Sequence, residues 1–266
     1  MTRKCVFVGD LHVGSRVALW KNHKLDDDTV VAANPAQSYL LGCWGLFWEE
    51  MRRVGYDTVF LLGDMCDGNN RKEFGKNLSV GELEAQVDVA VELLEPHVRD
   101  KRVVSIEGSR YHQSLDSSLD KRVCERLGEV AEVTHEGTMA AGELAGTGRV
   151  VNVEHCRTNS VMYRAGGLDR DSWLLDAAQN ELGYYTDLLV SGHLHWSAIM
   201  DISTGNRQRW IIQAPGWKLW FPYKPGGYGK KIAQIGGCWA EISSKGVQAQ
   251  KFLFPYYKAH DKVRSW

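Results

Sequence analysis

Residues 4–12 read Lys-Cys-Val-Phe-Val-Gly-Asp-Leu-His, a short β-branched run that stops at a glycine and then offers an acid and an imidazole two positions apart. Lys4–Val8 reads as a buried strand that delivers Asp10 and His12 at its carboxyl end. The same design recurs along the chain. Thr58–Leu62 runs into Gly63-Asp64, and Arg102–Ile106 runs into Glu107-Gly108. Val150–Val153 ends at His155, and Leu188–Val190 ends at Gly192-His193. Five apolar strands that each end in Gly, Asp or His predict an α/β protein, because chemistry in such sheets collects at the carboxyl ends of the strands. Helices are expected between them. Pro35–Val54 has a proline suited to a first turn and Gly55 suited to a stop. Residues 81–98 carry apolar side chains at helical spacing, and Asp169–Leu182 reads as a further helix. Ser15–Asn34 shows no period and reads as a loop. From Ile199 onward, short β-like stretches between Gly and Pro predict an antiparallel sheet. No linker is evident, so the expected organisation is one domain over residues 1–266.

The strand ends would bring together Asp10, His12, Asp64, His155, His193 and His195. On an extended strand end, residues i and i+2 point the same way. Asp10 and His12 could then face one metal, and His193 and His195 repeat the spacing. A carboxylate such as Asp64 has lone pairs enough to bridge two cations. A mixed Asp/His set without thiolates suits manganese, iron or zinc. Six or more ligands exceed the needs of one ion and predict two. A pair of ions lowers the pKa of a water between them and clamps a phosphoryl group for in-line attack.

These blocks resemble the calcineurin-like metallophosphoesterases, whose pattern is D-x-H, G-D-x-x-D, G-N-H-D/E, a lone H, and G-H-x-H. The chain has Gly9-Asp10-Leu11-His12, Gly63-Asp64-Met65-Cys66-Asp67, Glu154-His155 and Gly192-His193-Leu194-His195, in the family's order. The resemblance implies a four-layer α/β/β/α sandwich, with two mixed sheets flanked by helices. It implies that Asp10, His12 and His195 hold a first metal, that Asp64 bridges, and that His155 and His193 hold a second. It implies that Asp67 binds no metal and orients a catalytic histidine. Two divalent ions are expected as cofactors, manganese first, with iron, zinc or nickel as alternatives.

The third block departs from the pattern, reading Gly108-Ser109-Arg110-Tyr111-His112. Ser109 falls where the family's asparagine ligand stands, and a hydroxyl is the poorer neutral ligand. His112 arrives two residues late. It is either the family's catalytic histidine, assisting the leaving oxygen or the transition-state phosphoryl group, or a metal ligand in place of the asparagine. After Asp67 the chain reads Gly68-Asn69-Asn70, without the arginine of the phosphoprotein phosphatases. That departure makes it more similar to phage and bacterial members, whose substrates are often nucleic acids or nucleotides. The implied function is a metal-dependent phosphodiesterase, a nuclease or nucleotide hydrolase using a metal-activated hydroxide. The alternatives are a phosphomonoesterase on small or protein substrates and an inactive binding scaffold.

Composition narrows the partners. The 266 residues are 44% hydrophobic and 24% charged with a net charge of -1, which excludes a mostly disordered chain and a histone-like polycation. The charge is unevenly placed, however: residues 205–266 carry +9 and residues 1–204 carry -10. Within 216–231, five aromatics interleave with four lysines. Such a mix could stack bases and track phosphates, or its aromatics could fill the core of a second sheet. The partner expected is thus a phosphate ester, a nucleic acid among the candidates. The apolar runs Cys5–Val8 and Leu40–Trp48 are too short for a signal core and a membrane span, so no membrane is expected. The location expected is cytoplasmic, in the host cytoplasm for a phage gene. Six cysteines without a CxxC pair argue against a thiolate zinc site. Cys66 and Cys156 read as packing residues, and His23, His97, His135 and His260 as surface residues.

Overall fold

The structure is a computed structural model. It describes residues 1–69, 75–114, 117–155, 183–204, 207–219 and 233–255, with single positions between 167 and 181. Most of 216–231, Cys156, His260 and much of Asp169–Leu182 lie outside the described residues, although the positions described within that last span are helical at 169, 170, 173–175, 177, 178 and 181.

Two sheets form the body. The first has six strands, β1 (Thr2–Val8), β4 (Thr58–Leu61), β5 (Arg102–Ile106) and β6 (Glu132–Glu136) in parallel, with β12 (Ile235–Ser243) and β13 (Gly246–Phe254) antiparallel beyond β1. The second has five, with β8 (Arg149–Glu154), β9 (Leu188–Ser191) and β11 (Arg207–Gln213) parallel, and β7 (Met139–Leu144) and β10 (Ala198–Thr204) antiparallel at its edges. A two-stranded ribbon of β2 (His23–Lys24) and β3 (Val30–Val31) interrupts the segment expected to be a loop.

Alternation along the strands builds the layers. In β1, Val6 and Val8 face a core shared with α1 (Pro35–Val54), α2 (Leu83–Val98) and α3 (Leu119–Leu127). Cys5 and Phe7 face the other way, into a core between the sheets with Phe60, Leu62, Val153, Val190 and Ile212. A third, smaller cluster of Leu189, Trp196 and Ile211 covers the outer face of the second sheet, where Leu175 packs against it. The molecule is therefore the α/β two-sheet sandwich with two mixed sheets.

The C-terminal strands correct one expectation. They do not make an antiparallel sheet of their own. The β12–β13 hairpin extends the first sheet beside β1, and β11 enters the second sheet parallel to β9. Parallel order places the carboxyl end of β11 on the same side as those of β8 and β9.

Helix α1 matches its sequence expectation because its ends are strongly specified. Asn34 accepts the amide hydrogens of Ala36 and Gln37, while the Gln37 side chain accepts that of Asn34. This is a reciprocal capping box, and Gly55 closes the helix at φ 75°. The buried face of α1 carries Trp44, Phe47 and Trp48. Trp44 meets Trp217 edge-on at 4.8 Å, and Phe47 meets Trp48 at 5.2 Å. Each such pair is worth about 0.5–1.5 kcal/mol beyond area burial.

His97 was expected on the surface, and so were His23 and His135. All three are half-buried. The His97 ring stacks on Trp48 at 4.5 Å and 6°, with its Nδ1 buried and unpaired. Burial, aided by Arg52, pushes its pKa down to about 4. An unfolded histidine titrates near 6.5, so between these values the unfolded chain binds the extra proton. This contribution to stability is complete above about pH 6.5 and is lost as pH falls toward 4. The urea midpoint should drop from pH 7.5 to pH 5, and His97→Phe should flatten part of that slope. An identical slope in the variant would remove His97 as its source.

Candidate metal centre

The carboxyl ends of parallel strands from both sheets meet at one place. Asp10 and His12 follow β1, Asp64 and Asp67 follow β4, and Ser109 and His112 follow β5, His112 closing a 3-10 turn at Arg110–His112. His155 follows β8, and His193 and His195 follow β9. Among the described residues three sets of potential ligand atoms result, each within 4.8 Å, and two of them share Asp10: Asp10, His12 and His195 in the first, and Asp10, Asp64, His155 and His193 in the second.

In the first set, the Nε2 atoms of His12 and His195 lie 3.1 Å apart. Asp10 Oδ1 lies 3.3 Å from His195 Nε2 and 3.7 Å from His12 Nε2. That oxygen is fully buried without a hydrogen-bond partner, an arrangement costly for an ionised carboxylate. Ligands around an ion with bonds of about 2.1 Å sit roughly 3 Å from one another, so the three atoms fit a cation. In the second set, His155 Nε2 lies 3.1 Å from Asp64 Oδ2, and the rings of His155 and His193 are 5.0 Å apart.

The outer contacts fix which ring nitrogen faces the centre. His155 Nδ1 donates to the Leu62 carbonyl at 2.6 Å, and His12 Nδ1 donates to Asp67 Oδ1 at 3.0 Å. In both cases Nε2 is left for the centre, the usual arrangement of a metal-binding imidazole. Asp10 Oδ2 accepts the backbone amide of His193 at 2.8 Å. Burial favours a neutral Asp10, but His195 and His12 outweigh it and hold the carboxyl well below its ordinary range. Burial would likewise lower His155, but the Asp64 carboxylate overrides it and pushes the imidazole up to about 10. Asp64 is held at about 2, His155 again outweighing burial.

The backbone here is not extended strand. Asp10, His12, Asp64, His193 and His195 all have φ between 47° and 74°, a left-handed region that residues with a side chain seldom occupy. The i, i+2 pairs therefore do not share a direction through strand alternation. Asp10 and His12 reach one set together, whereas His193 and His195 enter different sets. The carboxylate common to both sets is Asp10, with Asp64 in the second alone.

Ser109 donates its backbone amide to Asp64 Oδ1 at 2.8 Å, and its Oγ lies 3.1 Å from Asp64 Oδ2. The approach is so close that a Cβ on Gly108 would lie 2.1 Å from Asp64 Oδ1, so only glycine fits. His112 is grouped with His12 and Asp67 rather than with the second set. Its Nδ1 is 2.9 Å from the Asp67 carbonyl, which can only accept, so Nδ1 carries the hydrogen and Nε2 the lone pair. Burial and His12 press its pKa down to about 4. The Asp67 carboxylate serves His12 more closely than His112, which is 3.4 Å away.

Three residues that hold the site had no motif to announce them. Asp120 is fully buried and accepts from the amides of Asp64, Met65 and Gly108 and from Gln113 Nε2. Gln213 Nε2 donates to the Ser191 and Gly192 carbonyls beneath His193. Lys218, beyond the end of β11, places Nζ 2.6 Å from Asp67 Oδ1. A buried polar side chain on a strand or helix gives no local signal until the elements pack.

No protein-family model matches the chain, and no curated protein does. Solved structures do match. One is a conserved uncharacterized protein from Streptococcus pneumoniae described as a predicted phosphoesterase, 14% identical, with 96% of this chain and 99% of that one covered at a TM-score of 0.36. Another is a metallophosphoesterase from Sphaerobacter thermophilus, 14% identical over 96% and 89% of the two chains, TM-score 0.34. A third is a dimetal phosphatase from Danio rerio, 10% identical over 95% and 99%, TM-score 0.42. All three are phosphoesterases by description. The likeness is remote, so the functional assignment rests on the side chains. Among the described residues, no helix is long and apolar enough to cross a membrane.

Proposed function

We propose that the chain is a metal-dependent phosphodiesterase of the calcineurin-like kind that acts on nucleic acid or nucleotides. The observation that carries this is the pair of ligand sets sharing Asp10, whose buried Oδ1 lies among the imidazoles without a hydrogen-bond partner. Asp10, His12 and His195 would hold one divalent ion, and Asp64, His155, His193 and Ser109 the other. Asp64 is the bridging carboxylate by resemblance, and Asp10 is a second carboxylate that faces both sets. The hard and borderline donors suit manganese, with iron, zinc or nickel as alternatives. Two such ions supply a water of lowered pKa and neutralise charge on a phosphoryl group.

The chain's own groups do the rest. Asp67 fixes the tautomer of His12, and the Leu62 carbonyl fixes that of His155. His112, tied through Nδ1, leaves Nε2 as its second ring nitrogen; only when Nε2 is protonated would the ring donate that proton to the substrate's leaving oxygen. Support for a polyanionic substrate comes from the +9 charge of residues 205–266 and from described residues of that part that bond next to the ligands. Leu219 donates its amide to the Val17 carbonyl at 2.7 Å, and Gln234 donates its amide to the carbonyl of His195 at 2.7 Å. Leu219 is thus tied to the segment after the ligand His12, and Gln234 to the ligand His195.

A manganese-dependent panel tests the assignment, with single- and double-stranded DNA, RNA, cyclic dinucleotides, p-nitrophenyl phosphate and its bis ester. Diester turnover that vanishes on chelation is expected. Turnover of the monoester alone would sink the nucleic-acid assignment in favour of a phosphomonoesterase.

A further inference from the structure

We propose that Lys218 is a substrate-binding residue whose ammonium contacts the phosphoryl oxygens at the metal centre. The inference rests on the phosphoesterase assignment above and adds a residue to it. Lys218 Nζ sits 2.6 Å from Asp67 Oδ1, the same oxygen that accepts from His12 Nδ1. The side chain keeps 16% of its surface exposed, while that of Asp67 is fully buried. The ammonium therefore meets a fully buried carboxylate from a side chain that is itself not fully enclosed. It has three donors, of which Asp67 Oδ1 takes one.

The backbone on either side of Lys218 is fixed. Trp217 donates its amide to the Asp10 carbonyl at 2.9 Å, and Leu219 donates to that of Val17. Both flanking side chains are buried, the Trp217 ring against Trp44 and Phe47. A long cationic side chain held at both shoulders gives up little freedom on meeting an anion. Asp67 restrains its head as well. That is the preorganisation a phosphate anchor needs.

Charge supports the same role. Asp10, Asp64 and Asp67 bring three negative charges, which two divalent ions would outweigh by one. Lys218 makes the loaded centre more positive again, suiting a phosphate diester together with the water that attacks it. Glycine, not arginine, stands directly after Asp67, and this cation arrives from 151 residues away, on the segment after β11. Asp67 therefore joins the ligand His12 to the residue that grips the substrate.

The test compares wild type with Lys218→Met, which keeps the stem and removes the charge, and Lys218→Arg, which restores a cation. Inorganic phosphate is titrated into manganese-loaded protein, and bound manganese is counted by atomic emission. Charge-assisted hydrogen bonds of this kind correspond to roughly 10- to 100-fold in affinity. Lys218→Met should lose about that much phosphate affinity with manganese content unchanged, and Lys218→Arg should recover most of it. Unchanged phosphate affinity in the Met variant would overturn the proposal. So would a parallel loss of manganese, or of native circular dichroism in both variants, because Lys218 would then act only through Asp67 and the fold. If phosphate binding depends on Lys218 and no diester is hydrolysed by wild type, the anchor stands and the diesterase assignment falls.

Discussion

Asp64→Asn should fold normally and, if the proposed activity holds, hydrolyse phosphodiesters about a hundred- to a thousandfold more slowly, the scale lost when a group central to charge stabilisation is removed. The amide keeps one oxygen, so the Ser109 amide need not lose its acceptor at 2.8 Å. It cannot supply the negative charge that holds His155 at about 10. In the metal-free protein that imidazole carries a proton, and loading an ion must displace it. Manganese titration of wild type at pH 8 should therefore release protons and raise the melting temperature by mass action. In Asp64→Asn both responses should shrink together. A variant that still binds two manganese ions, or still turns over the bis ester at wild-type rate, would remove Asp64 from the centre. A binding scaffold, by contrast, would keep its biological effect after the change.

Asp120→Ala should cost stability on a scale comparable to the whole fold. Three buried backbone amides, those of Asp64, Met65 and Gly108, donate to this one carboxylate at 2.8–3.2 Å. Leaving a buried donor unsatisfied costs about 1–3 kcal/mol each, so the loss should be on the order of 3–9 kcal/mol, against a typical total of about 5–15. Asp120→Asn should rescue little. Oδ2 accepts from Asp64, Gly108 and Gln113 at once, and the rotamer that keeps an oxygen there turns an NH₂ donor toward the Met65 amide. Urea unfolding measures the effect, and manganese affinity should fall with it because the Asp64 loop loses its support. An unfolding midpoint within error of wild type for Asp120→Ala would show that those amides have other acceptors.

The two variants divide what the sequence makes legible from what it hides. Asp64 is readable because a glycine and an acid follow an apolar run, and because four such blocks occur in order. β1, β4, β5, β8 and β9 are readable for the same reason, being buried on both faces and hence nearly continuous in apolar residues. Asp120 is not readable. It lies in the first turn of a nine-residue helix whose sequence is mostly polar, and its partners are backbone amides that no residue type marks. β6 and β7 escape notice for a related reason, since their mostly exposed or half-buried residues lack an apolar run. Lys218 is visible only as one lysine among several in a basic stretch. Its contact with Asp67 depends on β11 running parallel to β9, which the Gly- and Pro-rich composition around it does not suggest. The left-handed backbone at the ligand positions is hidden too: aspartate and histidine visit that region more often than most side chains, but too seldom for their presence alone to mark it.

The ligands come from both sheets: Asp10, His12 and Asp64 from the ends of one, and His155, His193 and His195 from the ends of the other. Any ion seated among them would be a rivet through the two halves of the sandwich. Drawing the rivet with a chelator would leave the halves joined chiefly by the greasy seam around Phe7 and Val190. Heat should then prise them open from the ligand-bearing rim inward, so that the side chains gathered to hold an ion would also be what keeps the two leaves shut.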